Sequence, residues 1–176
     1  MCIRDRVITG GEPLLGWQRA YSEILDSDKM QSLRELTFET NGTQQLSNEF
    51  AEYLTKWGSI DRPFGSITFS VSAKLSCSGE SRENAIKPEI VCNYQKYGFT
   101  YLKFVVTSHD DIQEVLDTIN IYRNAGFTGP VYLMAVGGTI DSYNLNWKQV
   151  ADLALQHGLR YSPRMHLSLY GNAWAT

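Results

Sequence analysis

VITGGEPLL, residues 7–15, decides how the rest of the chain is read. Val7 and Ile8 read as the end of a buried strand, and Pro13 suits the first position of a helix, where its missing N–H is no loss. The turn lies between them. Gly10 and Gly11 remove side chains there, which permits unusual dihedrals and lets a ligand approach the backbone closely. Strand, Gly-rich turn and helix make one βα unit.

The rhythm continues downstream. Trp17, Ala20, Tyr21, Ile24 and Leu25 recur at spacings of three and four, the stripe of an amphipathic helix over residues 17–30. Leu36 and Phe38 alternate in LRELTFETNGT, a strand that stops at Asn41-Gly42. SNEFAEYLTKWG reads as a helix capped by Ser47 or Asn48 and stopped by Gly58, and SITFSVSAK as a strand rich in β-branched and aromatic residues. A helix near Pro88 to Tyr97, the strand FTYLKFVVT, a helix over Asp110 to Asn124, the strand PVYLMAVG and a helix over Trp147 to His157 complete the series. Strands alternating with helices predict right-handed βα units around a parallel sheet, an α/β fold. Ligands of such sheets gather at the carboxyl ends of the strands, where this sequence puts GGEP, ETNGT, SAK and MAVGG.

A chain of 176 residues fits one domain with a real core. With 43% apolar residues, 20% charged and a net charge of -3, a basic nucleic-acid surface is not indicated. No long apolar run and no secretory segment appear, so neither a membrane span nor export is suggested, and the cytoplasm is expected. Cys2, Cys77 and Cys92 are too scattered for a disulfide scaffold or a metal knuckle and read as reduced thiols. MCIRDR resembles the translation of a sequencing-library adapter, so residues 1–6 are set aside as non-native and 7–176 taken as the domain.

The strand ends carry the chemistry. Gly10, Gly11 and Glu12 offer backbone groups and a carboxylate suited to an ammonium; they equally make a tight turn in which Glu12 favours the positive end of the next helix. Glu39 stands beside Thr40, Asn41 and Thr43, a set that suits a polar heterocycle or a ribose, or else a turn with a solvated carboxylate. Ser72 and Lys74 share one side of a strand end, and Lys74 could pair with a ligand carboxylate. Lys103, inside an apolar strand, must snorkel or find a partner and points inward if the alternation holds. Arg164 and His166 could complete a polar pocket, although a structural histidine fits as well; His109 and His157 are helix-boundary residues.

Taken together, GGEPLL, FETNGT, SAKLSCSGE, LKFVV and RMHLSLYGNAWAT resemble the 7-carboxy-7-deazaguanine synthases of the radical S-adenosylmethionine superfamily, over nearly all of residues 7–176. GGEP alone would indicate only the superfamily. The resemblance implies a partial (β/α)6-type barrel, a parallel sheet with outer helices, whose first βα unit and cluster loop precede these residues. It implies the ring contraction of 6-carboxy-5,6,7,8-tetrahydropterin to 7-carboxy-7-deazaguanine on the route to queuosine, with S-adenosylmethionine, a [4Fe-4S] cluster and Mg²⁺ as cofactors, a reductant such as flavodoxin, and a homodimer.

Carried over by position, Gly10, Gly11 and Glu12 would contact S-adenosylmethionine, as would Ser72, Ala73 and Lys74, with Ala73 in place of the family's proline. Met134, Ala135, Val136 and Gly137 occupy a further S-adenosylmethionine position, supplying backbone and packing. Thr9 would face the substrate, with Glu39, Asn41 and His166 as further pocket residues. The family's cluster cysteines, Cys-x3-Cys-x2-Cys, lie upstream of GGEP, and the cysteines at positions 2, 77 and 92 cannot replace them. The Mg²⁺ ligand lies beside that motif. These residues are therefore expected to be the C-terminal majority of an enzyme, inactive alone. Two other readings stay open: a radical S-adenosylmethionine enzyme of different substrate, and a cluster-less module that grips a nucleotide-like ligand.

Overall fold

Six parallel strands hydrogen-bond in the order in which they occur along the chain. The computed structural model describes residues 5–58 and 66–172. Along the chain run β1 (Asp5–Ile8), α1 (Gln18–Asp26), β2 (Glu35–Thr40), α2 (Asn48–Trp57), β3 (Ser66–Val71), α3 (Arg82–Ala85), α4 (Pro88–Tyr94) and β4 (Phe99–Val106). Then follow α5 (Ile112–Asn124), β5 (Val131–Ala135), α6 (Ile140–Asn144), α7 (Trp147–Gln156), β6 (Arg160–Tyr161) and α8 (Met165–Tyr170). The expected α/β class holds. Cys2 and the last four residues of RMHLSLYGNAWAT lie outside the described residues.

Sequential strand order has a consequence for where a ligand can sit. Right-handed crossovers that always step the same way put the helices that join the strands on one face of the sheet and leave side chains on the other. Burial follows that division. Leu36, Phe38 and Thr40 of β2, Ile67, Phe69 and Val71 of β3, and Leu102, Phe104 and Val106 of β4 are buried, while the alternate Glu39, Tyr101 and Lys103 are partly open. The helix-covered layer is held by aromatic packing: Phe38 stacks on Phe69 at 5.5 Å, Phe69 on Tyr94 at 4.6 Å, and Tyr21 of α1 meets Phe38 at 5.9 Å. Removing a fully buried phenylalanine from such a layer costs about 3–5 kcal/mol.

Several local expectations are corrected. Pro13 does not open a helix: it sits buried in a turn in which Leu15 N–H donates to the Glu12 carbonyl at 3.1 Å, and α1 begins five residues later at Gln18. Proline's fixed φ serves the second position of such a turn as well as a helix start. Trp17 and Ile24 of the expected stripe are exposed, and α1 packs through Tyr21 and Leu25. The helix ending near Tyr97 stops at Tyr94, and α6 and α8 were not foreseen. Ser47 caps α2, its hydroxyl accepting from Phe50 N–H at 3.2 Å. Asp5 and Arg6, set aside from sequence, lie in β1, whose backbone pairing asks nothing of their exposed side chains.

Candidate functional site

The turn after β1 and the end of β2 are one unit. Gly10 and Gly11, both at positive φ (90° and 53°), bring Glu12 over the end of β2. There Glu12 Oε1 accepts from Thr40 Oγ1 at 2.7 Å and Leu14 N–H at 3.1 Å, and Oε2 accepts from Asn41 N–H at 2.7 Å. A side chain on either glycine would meet nothing within 4 Å, so the backbone there is open to an approaching group. Glu12 thus has no helix end to favour, since α1 starts too far along the chain; its carboxylate is a clasp. Asn41 is likewise engaged, its Oδ1 accepting from Thr43 N–H at 3.0 Å and Thr43 Oγ1 at 2.7 Å.

Beside the clasp, the uncovered face carries a polar line across three strands. Thr9 Oγ1 donates to Glu39 Oε2 at 3.1 Å, and Lys103 Nζ lies 3.6 Å from Glu39 Oε1, reaching over β3. Lys103 therefore finds the partner that its place in an apolar strand requires. It also lines a cavity of about 220 Å³. Ala73, Leu75, Val105 and Val136 wall that cavity, and Ser72, Lys74, Cys77, Ser78 and Thr107 supply its polar atoms. The volume is below that of a usual small-molecule pocket, so it can hold part of a nucleoside-sized ligand whose remainder lies on the open face. Cys77 is kept a thiol: burial, then the nearby Asp111 and Glu114 carboxylates, push its pKa up. Glu114 also fastens this loop, accepting from Ser76 N–H at 2.8 Å and Ser76 Oγ at 2.7 Å.

The structure brings Ser72, Ala73, Lys74 and Val136 to the cavity, and Thr9 and Glu39 to its flank through Lys103. Met134 stands on the open side of β5, whereas Ala135 is buried against the helix layer and offers its carbonyl, which accepts from Arg164 Nε at 3.1 Å. Gly137 is committed to packing: at φ 141°, an added Cβ would fall 2.7 Å from the Tyr143 nitrogen. His166 is exposed on α8, and among the described residues no hydrogen bond or ion pair joins it to the cavity. Lys103, Thr107 and Cys77 are cavity residues that were not placed there from sequence; for Lys103 the signal was present, a lysine in an apolar strand. Among the described residues no three His, Cys, Asp or Glu side chains are grouped to hold a metal ion, and no helix is long and apolar enough to cross a membrane.

No protein-family model matches the chain, and no solved structure matches it. Two curated proteins do. The chain is 30% identical over 167 residues to 7-carboxy-7-deazaguanine synthase of Pyrobaculum aerophilum and 30% identical over 180 aligned positions to 7-carboxy-7-deazaguanine synthase of Halobacterium salinarum. Each alignment takes in 95% of this chain and 65% of the relative, so the chain spans just under two thirds of the length of these curated relatives.

Proposed function

We infer that this chain belongs to the 7-carboxy-7-deazaguanine synthase family, and from that premise we propose that the protein it forms converts 6-carboxy-5,6,7,8-tetrahydropterin to 7-carboxy-7-deazaguanine. The observation that carries the reading is similarity along 95% of the chain to two relatives of that name. The joining of GGEP to ETNGT supports it, because two segments of the resemblance prove to be neighbours at one rim.

The residues present fit S-adenosylmethionine. The open backbone at Gly10 and Gly11 can accept from its ammonium, Lys74 can meet its carboxylate, and the apolar walls at Ala73 and Val136 can take its uncharged parts. Met134 and the Ala135–Gly137 backbone would close that side. When bound, S-adenosylmethionine supplies the group that abstracts hydrogen from the substrate. The chain's own work is to bind, orient and exclude water: Thr9 and Glu39 offer a hydroxyl and a carboxylate to the N–H edge of the pterin, and Asn41 and His166 are further candidates. The described residues do not fit a [4Fe-4S] cluster or Mg²⁺, whose ligands in this reading lie outside them. Reduction by a flavodoxin-like partner, assembly as a homodimer and a cytoplasmic setting belong to the same reading.

The test is product analysis of the protein from its complete gene, reconstituted anaerobically with iron and sulfide and given S-adenosylmethionine, a reductant and 6-carboxytetrahydropterin. We expect 7-carboxy-7-deazaguanine. Cleavage of S-adenosylmethionine without that product would retain the superfamily and discard the substrate, and no cluster at all would favour a binding module.

A further inference from the structure

Glu39 and Lys103 meet although a whole strand lies between them. In register, Glu39 of β2 is opposite Ser70 of β3, and Ser70 is opposite Tyr101 of β4; one step on, Val71 is opposite Leu102, which sets Ser72 beside Lys103. The line between the two charges therefore passes over Ser70 and Ser72, the smallest side chains on this face of the three strands. Ser70 is fully buried, and its Oγ has no hydrogen-bond partner among the described residues. A serine at this position leaves a lane for the pair that a larger side chain would fill.

The pair is also asymmetric. The Lys103 side chain is 15% exposed and Glu39 43%, so the cation lies deep and the carboxylate outermost. Among the described residues each Glu39 oxygen has one partner, Thr9 on Oε2 and Lys103 on Oε1, which leaves each an acceptor position for a ligand. A ligand entering over the sheet meets the carboxylate first.

We propose that Lys103 is a positioning residue, which holds the Glu39 carboxylate across the serine lane of β3 so that its free acceptor positions face the N–H donors of a planar heterocycle. This rests on the proposed reading that a pterin binds here, and it adds the residue that orients the recognising group and the strand that makes room for it.

Two measurements on this chain separate the two ideas. In crystal structures of the wild type, Lys103→Met, Lys103→Arg and Ser70→Leu, the carboxylate is expected to leave Thr9 Oγ1 in the methionine and leucine variants and to stay in the arginine variant. A carboxylate that keeps its place in Lys103→Met or Ser70→Leu overturns the proposal, whatever the ligand. Calorimetric titration then uses 6-carboxypterin and pterin, which share the N–H edge and differ in the carboxylate. Lys103→Met is expected to weaken both by a similar factor, about tenfold, with Lys103→Arg restoring them and Glu39→Gln/Lys103→Met no weaker than Glu39→Gln. A loss confined to 6-carboxypterin would mean that Lys103 touches the ligand carboxylate itself and would overturn the positioning role. If the wild type binds neither probe, the substrate reading fails at this site and takes the heterocycle-recognition part of the proposal with it, while the crystal structures still decide whether Lys103 holds the Glu39 carboxylate.

Discussion

Replacing Glu12 tests whether the GGEP turn is held as described. Glu12→Ala removes the acceptor for Thr40 Oγ1, Asn41 N–H and Leu14 N–H together. A hydrogen bond to a charged group contributes about 1.5–3 kcal/mol when its loss strands a buried partner. Thr40 and Leu14 are 2% and 1% exposed and each takes that loss at its lower end, since the site opens to water once the carboxylate is gone, while the N–H of half-buried Asn41 recovers most of its own. The sum is about 3 kcal/mol, a fall in melting temperature of roughly 6–12 °C for a chain of this size. Thr40→Val keeps shape and removes the hydroxyl, which also accepts from Gly42 N–H at 3.1 Å, and should cost at least about 1.5–3 kcal/mol by the same reasoning. Urea unfolding of the two single variants and the double variant gives their coupling, expected above about 1 kcal/mol. A coupling below about 0.5 kcal/mol would refute the clasp, because two groups in direct hydrogen bond cannot be energetically independent.

Other consequences can be checked on the same chain. Tyr94 and Tyr122 have pKa values raised chiefly by burial, as does Tyr161, where the Tyr143 hydroxyl adds to it. Their neutral forms are favoured by folding, so this stability is complete below pH 10 and is lost as pH rises above it; absorbance at 295 nm should show the fully buried Tyr94 and Tyr122 ionising only with unfolding, and early titration of all ten tyrosines would contradict that burial. Phe69→Ala, at the centre of the aromatic layer, should lower stability by about 3–5 kcal/mol in urea unfolding. Cys77 lines the cavity as a thiol, so iodoacetamide should label it slowly at neutral pH and faster at pH 9; S-adenosylmethionine should slow that labelling if it occupies the cavity. Gly137→Ala should destabilise the β5–α6 corner and lower the melting temperature, since its Cβ would run into the backbone at Tyr143.

Much of the architecture is written locally. Period-two alternation in LTFET and TYLKFVV, the 3.6-residue stripes and the Gly and Asn stops settle where strands and helices lie, and right-handed connection of such units then settles a parallel sheet with its chemistry at the strand ends. Alternation also predicts which side of β4 bears Lys103. What could not be read locally depends on groups far apart in sequence. Nothing in GGEP says that Glu12 will spend its carboxylate on Thr40 and Asn41, because those partners arrive only when β1 and β2 pair. Pro13 is compatible with a turn and with a helix start, and the turn wins where the clasp pins Leu14. Lys103 announces in its own segment that it needs a partner, but neither Glu39 nor Ser70 says that it will meet it. Three strands in register turn them into a cation, a lane and a carboxylate, since only the packed sheet fixes the few ångströms on which an ion pair depends.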